Sequence, residues 1–153
     1  MGMAQDKKYL EQDIIINASA EQVWAVLIDL EAWKSWNPFI KVENGEPVVG
    51  TKLTNTFING DEKLTFKPKV LKVAENEEFQ WIGRLVMPGL FDGKHGFRIE
   101  KLSENQVRFV NYEHFKGLFS GMIMNKIYDD TKANFNKMNE ALKARAEALY
   151  ALR

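Results

Sequence analysis

The sequence predicts an α+β domain in which a curved antiparallel sheet receives one long C-terminal helix. Three observations carry this. From Gly117 to Leu149 the positions Met124, Ile127/Tyr128, Thr131, Phe135, Met138, Leu142, Ala146 and Leu149 recur in steps of three and four, so one stripe of a helix is apolar. From Phe39 to Lys116 the period is two, broken at intervals by turn residues. All but one of the links between those runs are short, so consecutive strands pair as a meander. A helix of that length spans roughly 40 Å, more than one small partner helix covers, and a broad surface must receive its stripe.

The elements follow in order. Leu10, Gln12, Ile14, Ile16 and Ala18 share one parity in a β-branched run and form a first strand. Ser19-Ala20-Glu21-Gln22 is a capping box, opening a helix to about Asp29 with Val23, Trp24, Val26 and Leu27 inward. Asp29 is placed to cap a second, short helix holding Leu30, Trp33 and Trp36, which Asn37-Pro38 stops. Six strands are expected at 39–43, 51–58, 62–73, 77–86, 94–102 and 105–116. Asn44-Gly45, Asn59-Gly60-Asp61, Ala74-Glu75-Asn76 and Ser103-Glu104-Asn105 supply turns between them. The longer link, 87–93, carries Met87, Leu90 and Phe91 among glycines. Pro68 implies an edge or a bulge inside the third run, where the apolar parity slips between Val70 and Leu71. Ser120 is placed to cap the long helix, whose polar face carries Lys126, Asp129, Lys132, Lys137, Glu140 and Lys143.

Composition bounds the function. A chain of 153 residues holds one domain, 1–153, with a sizeable core. Its 21 basic and 21 acidic side chains balance, so no global field steers nucleic acid toward it. The absence of cysteine excludes disulfides, thiolate metal sites and a cysteine nucleophile. A polar N-terminus and no run of transmembrane length lead us to expect a cytoplasmic protein without stable membrane insertion. Gly2 does not open a myristoylation signal, because Asp6 stands where Ser or Thr is needed.

Four segments in this order resemble a known family. They are Ala18-Ser19-Ala20-Glu21-Gln22-Val23-Trp24, Trp36-Asn37-Pro38-Phe39, the run from Pro88 to His95, and Glu113-His114-Phe115-Lys116-Gly117. Together they resemble the START-like (SRPBCC) superfamily, which includes the birch pollen allergen, and within it the small bacterial polyketide cyclase/dehydratase-like branch. The resemblance implies a helix-grip fold, β-α-α-β6-α, with a seven-stranded antiparallel sheet wrapped around the C-terminal helix and an apolar cavity between them. It implies binding of lipids, hormones, quinones or polyketides, and catalysis in a minority of members. Separately, no cofactor is expected. The superfamily has no universal catalytic motif, so no catalytic residue carries over by position.

Parity assigns the cavity face. Phe79, Trp81, Gly83 and Leu85 share one side of their strand, His95, Phe97 and Ile99 one side of the next, and Val107, Phe109, Asn111, Glu113 and Phe115 one side of the last. The opposite parity carries Arg84, Arg98 and Arg108 and must be wet, so the aromatic parity faces the long helix. Leu53, Asn55, Phe57, Leu64, Phe66 and Val70 extend it. Three polar side chains interrupt the wall: His95, Asn111 and Glu113. A three-residue turn at 103–105 places His95 opposite Glu113 and Phe97 opposite Asn111, within reach across the strands.

A buried glutamate without a partner is costly, and desolvation raises its pKa; His95 is the candidate partner. The pair has three readings: a structural pair fixing the Gly117 turn, a ligand contact, or an acid–base couple. The expected ligand wall comprises Trp36, Phe57, Phe66, Trp81, Met87, Leu90, Phe91, His95, Phe97, Phe109, Asn111, Glu113, Met124 and Tyr128. Helix start, 87–93 loop and polar trio are expected to meet there, the loop serving either as a gate or as apolar tips docked on the domain. Metal binding is disfavoured, because His95 and His114 have opposite parity.

Three functions remain open. The first is binding of a hydrophobic or amphipathic small molecule, for transport, storage or sensing, by a monomer or weak homodimer. The second is a cyclase or dehydratase using His95 and Glu113 as acid and base. The third is a protein-interaction or chaperone-activator-like module using the outer sheet face.

Overall fold

The computed structural model describes residues 6–85 and 87–153. Gly2, and Val86 at the end of the fourth expected run, lie outside them. Strand β1 (Tyr9–Ile16) leads into α1 (Ala20–Ile28), a single 3-10 turn (Leu30–Ala32) and the short α2 (Trp33–Trp36). Seven further strands follow: β2 (Ile40–Asn44), β3 (Thr54–Asn59), β4 (Glu62–Phe66), β5 (Lys69–Ala74), β6 (Glu78–Leu85), β7 (Phe91–Ser103) and β8 (Gln106–Lys116). Helix α3 (Ser120–Ala151) closes the chain. Its 32 residues span about 48 Å at 1.5 Å per residue.

The helix signals hold at Ser19 and Asn37 and fail at Asp29 and Ser120. Ser19 Oγ accepts from the Gln22 amide at 3.1 Å, so its half of the capping box is formed. Asp29 makes no side-chain cap; its carbonyl instead accepts from the Ala32 amide at 3.2 Å. Asn37 is extended, and its Oδ1 accepts from the Phe39 and Ile40 amides, turning the chain into β2. Ser120 does not cap α3 either. It is the first helical residue, and its hydroxyl donates back to the Gly117 carbonyl at 2.8 Å.

Among the described residues the strands number eight in two sheets, not seven in one. β5 to β8 form an antiparallel meander and β1 pairs with β8, giving the order β1-β8-β7-β6-β5, while β2-β3-β4 form a separate sheet. The division falls at a proline. Pro68 offers no amide to a ladder, and the run expected at 62–73 divides there into β4 and β5. The Pro68 carbonyl accepts from Leu53, the Val70 amide reaches Thr51, and Gly50 reaches Val70. Residues 50–53 therefore stitch the two sheets together before β3 begins. The parity slip is a bulge, with the β5–β6 register shifting between Val70 and Lys72. Beside the break, β4 has no ladder partner except β3 among the described residues.

The core lies between the sheets and α3. Trp24, Trp33 and Phe79 are buried, and the Trp33 indole donates to the Leu27 carbonyl at 2.9 Å, so its one polar atom is satisfied. Met124, Tyr128, Phe135, Met138, Leu142 and Ala146 of the expected stripe are buried. Leu149 and Met122 are exposed. Asn134 and Asn139, which the apolar period passes over, are buried on the same helix.

Candidate functional site

A cavity of about 580 Å³ lies between α3 and the two sheets. Phe39 and Phe57 wall one side, and Phe57 stacks on Phe66 with ring centroids 3.9 Å apart. Trp81, Gly83 and Leu85 of β6, Phe91 and Gly93 of β7, and Glu113 and Phe115 of β8 form the floor. Ile127, Thr131 and Asn134 of α3 cover it. The exposed lining residues Asn59, Glu62, Lys63 and Leu64, with Asp130 opposite on α3, mark the mouth. The opening thus lies beside β4, where the sheet is interrupted.

Glu113 is the one buried ionisable side chain on this wall. The β7–β8 register places it opposite His95, and Phe97 opposite Asn111, as expected, although Ser103 pairs with Gln106 around a two-residue turn and a bulge between Lys101 and Ser103 sets the register in place of a three-residue turn. Space for its carboxyl exists because residue 93 is glycine: a Cβ there would lie 2.3 Å from Glu113 Oε2. Burial alone pushes the Glu113 carboxyl up to about 8.

Behind Glu113, His95 is fully buried, stacked between Phe97 and Phe135 at centroid distances of 4.4 and 4.8 Å. Burial pushes it down to about 4, against a smaller opposing effect of its hydrogen bond to Asn111. The two groups are therefore both uncharged at neutral pH: a carboxylic acid and a neutral imidazole.

A relay of amides determines which ring nitrogen carries the proton. The Gln12 carbonyl can only accept, so Asn139 meets it with Nδ2, at 3.0 Å. That leaves Asn139 Oδ1 to accept from Asn111 Nδ2 at 3.1 Å. Asn111 Oδ1 then meets His95 Nε2 at 2.6 Å, and Nε2 must carry the hydrogen. His95 Nδ1 is left as a lone pair with no hydrogen-bond partner, 3.6 Å from Glu113 Oε1, a separation beyond hydrogen-bond length. Chemically, the wall presents one carboxylic O–H backed by a neutral acceptor.

Of the residues expected at the ligand wall, Phe57, Phe66, Trp81, Phe91 and Glu113 line the cavity. His95, Phe97, Phe109, Asn111, Met124 and Tyr128 are buried behind or beside it and do not line it. Trp36 packs on Trp33, 5.8 Å between centroids, away from the opening. The link expected at 87–93 is shorter, because Phe91 to Gly93 belong to β7, pairing with Leu85 to Gly83. Met87 is exposed and Leu90 half-buried, neither lining the cavity. The remaining turn is bonded to the start of α3: the amides of Leu118 and Phe119 donate to the carbonyls of Gly89 and Leu90 at 2.9 and 3.0 Å. Gly83 and Leu85 share the parity that selects Trp81 and could have been chosen on that signal. Lys63, Glu62 and Asp130 carry no such signal, since charged residues at a mouth look like any wet surface.

Among the described residues no group of three or more His, Cys, Asp or Glu is placed to hold a metal ion, and no helix is long and apolar enough to cross a membrane.

A family model described as polyketide cyclase/dehydrase and lipid transport matches residues 9–147. No curated protein matches. Among solved structures, the ZhuI aromatase/cyclase from Streptomyces sp. R1128 is 17% identical, covering 91% of this chain and 93% of that one, with a TM-score of 0.75. A START superfamily protein from Mycobacterium smegmatis is 21% identical over 92% and 98% of the two chains, at 0.68. Norcoclaurine synthase from Thalictrum flavum, in complex with dopamine and hydroxybenzaldehyde, is 16% identical over 95% and 88%, at 0.69.

Proposed function

The chain belongs to the polyketide cyclase/dehydrase and lipid transport family, within the START-like (SRPBCC) superfamily, and from that membership we propose that it binds a hydrophobic or amphipathic small molecule in the cavity beneath α3. The observation that carries this reading is the cavity itself: about 580 Å³ of largely apolar wall in which the buried polar side chains are Glu113, the one ionisable group among them, and Asn134. Apolar walls supply affinity, and a few convergent polar groups set orientation. Phe57, Phe66, Trp81 and Phe91 are the wall of the proposed site and Glu113 its polar contact. The Thalictrum enzyme holds small aromatic molecules on a similar fold, which is compatible with an occupant of that kind here.

Native mass spectrometry of freshly purified protein tests the proposal, together with displacement of a fluorescent hydrophobic probe. We expect a probe to bind and Trp81→Ala, which removes part of the wall, to weaken it by tenfold or so, the order of a lost aromatic contact. Failure of every hydrophobic probe to bind would end this reading.

One observation favours a second reading, an acid-catalysed cyclisation or dehydration. The Glu113 carboxyl keeps its proton near neutral pH, as a general acid requires. In that case Glu113→Gln abolishes turnover of a polyketide-like ketone while the protein stays folded, and undiminished turnover refutes the role.

A further inference from the structure

Among the described residues four ionisable side chains line the cavity, and three of them, Glu62, Lys63 and Asp130, are exposed at its mouth. The deep end therefore holds no cation. Arg84 is directed to Asp92 at 3.9 Å and Arg98 to Glu100 at 3.0 Å, and neither lines the cavity. Behind the one buried carboxyl, the imidazole offers a lone pair rather than a hydrogen. That orientation is anchored through Asn111 and Asn139 to a backbone carbonyl of β1, which cannot reverse its role.

These facts restrict what can sit against Glu113. A ligand carboxylate placed there would lose its hydration and meet no positive charge. An ammonium group would need Glu113 ionised, with the His95 lone pair facing the new negative charge at 3.6 Å. A neutral acceptor oxygen meets an O–H already in place, and no charge is buried.

Resting on the binding function proposed above, we infer that the cavity selects molecules whose buried end is uncharged and accepts a hydrogen bond, such as a ketone, ester or ether on an apolar frame. Carboxylates and amines are excluded from that end. A charged group on the same molecule belongs at the mouth, where Lys63 and Asp130 are wet.

Three probes on one naphthalene frame test this by calorimetric titration at pH 6.5: 2-acetylnaphthalene, 2-naphthoate and 2-naphthylmethylammonium. The methyl ketone and the carboxylate are nearly the same shape, so their difference reads charge. We expect the ketone to bind at least about tenfold tighter than either charged probe, the scale of one hydrogen bond kept against one charge desolvated. Glu113→Gln, which retains a donor, should keep ketone binding, and Glu113→Leu should weaken it by about tenfold. Naphthoate that binds and is weakened by Lys63→Ala is seated with its carboxylate at the mouth, which supports the inference. Naphthoate insensitive to Lys63→Ala and as tight as the ketone, or an ammonium probe as tight as the ketone, overturns the inference and leaves cavity binding standing. Absence of binding by all three overturns both.

Discussion

Replacing Glu113 with glutamine should flatten the pH dependence of stability between pH 6.5 and 8. The folded protein holds the Glu113 proton up to about 8, against an ordinary value of 4.5. A carboxyl raised in this way contributes its stability fully below 4.5, and loses it as pH rises toward the folded value, because the unfolded chain ionises first. Each pH unit in that interval is worth about 1.4 kcal/mol. His95 runs the other way. Lowered from 6.5 to about 4, it contributes fully above 6.5 and loses stability as pH falls through that interval. Above pH 6.5 the glutamate dominates, with His95 giving back about 0.4 kcal/mol between pH 6.5 and 8. Integrating the folded and unfolded curves of Glu113 over that interval gives a loss of about 1.6 kcal/mol from this group, tapering as the folded carboxyl begins to ionise. Urea denaturation at half-unit pH steps on both proteins measures it, the difference between the two curves cancelling every other titrating group. We expect Glu113→Gln to lie parallel to the natural protein below pH 4 and to gain on it from about pH 4.5 upward, the gain tapering near 8. Parallel curves from 6.5 to 8 would refute the buried acid, and with it the neutral Glu113–His95 arrangement.

Three further outcomes follow from the same geometry. Asn139→Ala removes the link between Asn111 and the Gln12 carbonyl and should cost about 1–3 kcal/mol. Nitrogen-15 shifts should then show His95 losing the pure Nε2–H tautomer that the natural protein displays; an unchanged tautomer would contradict the relay. Phe135→Ala, fully buried and stacked on His95, should cost about 3–5 kcal/mol in a urea titration, and a loss below 1 kcal/mol would mean the helix does not seat there. Gly117 has φ +121°, and a Cβ on it would lie 2.5 Å from the Leu90 carbonyl oxygen. Gly117→Ala should therefore cost about 1–3 kcal/mol and speed amide exchange at Leu118 and Phe119. Exchange at the natural rate would show that the 87–90 turn does not depend on that close approach.

Alternation of residue type was enough to read most of the fold, because a half-buried strand and a buried helix stripe each leave a period in the chain. It placed the inner face of β6 to β8, and the expected pairing of His95 with Glu113 forms, though through a two-residue turn and a bulge at 101–103 that alternation did not reveal. It did not resolve the sheet break. Pro68 marks a defect, but whether a strand bends, bulges or divides there depends on partners distant in sequence, here residues 50–53. The cavity was legible only in part for a related reason. The parity of Trp81 and Glu113 shows which side they face, while how far the helix stands from them depends on packing. Asn139 is the sharpest example: a polar residue beside an apolar stripe reads as solvated, yet it is buried and draws Asn111 and His95 into the core relay and off the cavity wall.

The division of the sheet at Pro68 also affects how this protein meets other copies of itself. A flank of β4 that lacks a neighbour is a template for a strand from another chain, and so a route to edge-to-edge aggregation. The residues along this stretch read as a defence: Asp61, Glu62, Lys63 and Lys67 are all exposed, and a proline follows directly. An incoming strand would have to bury or displace those charges and would find no amide at Pro68. Neutralising Lys63 and Lys67 would weaken that protection, so the surface that frames the cavity mouth also bears on solubility at high concentration.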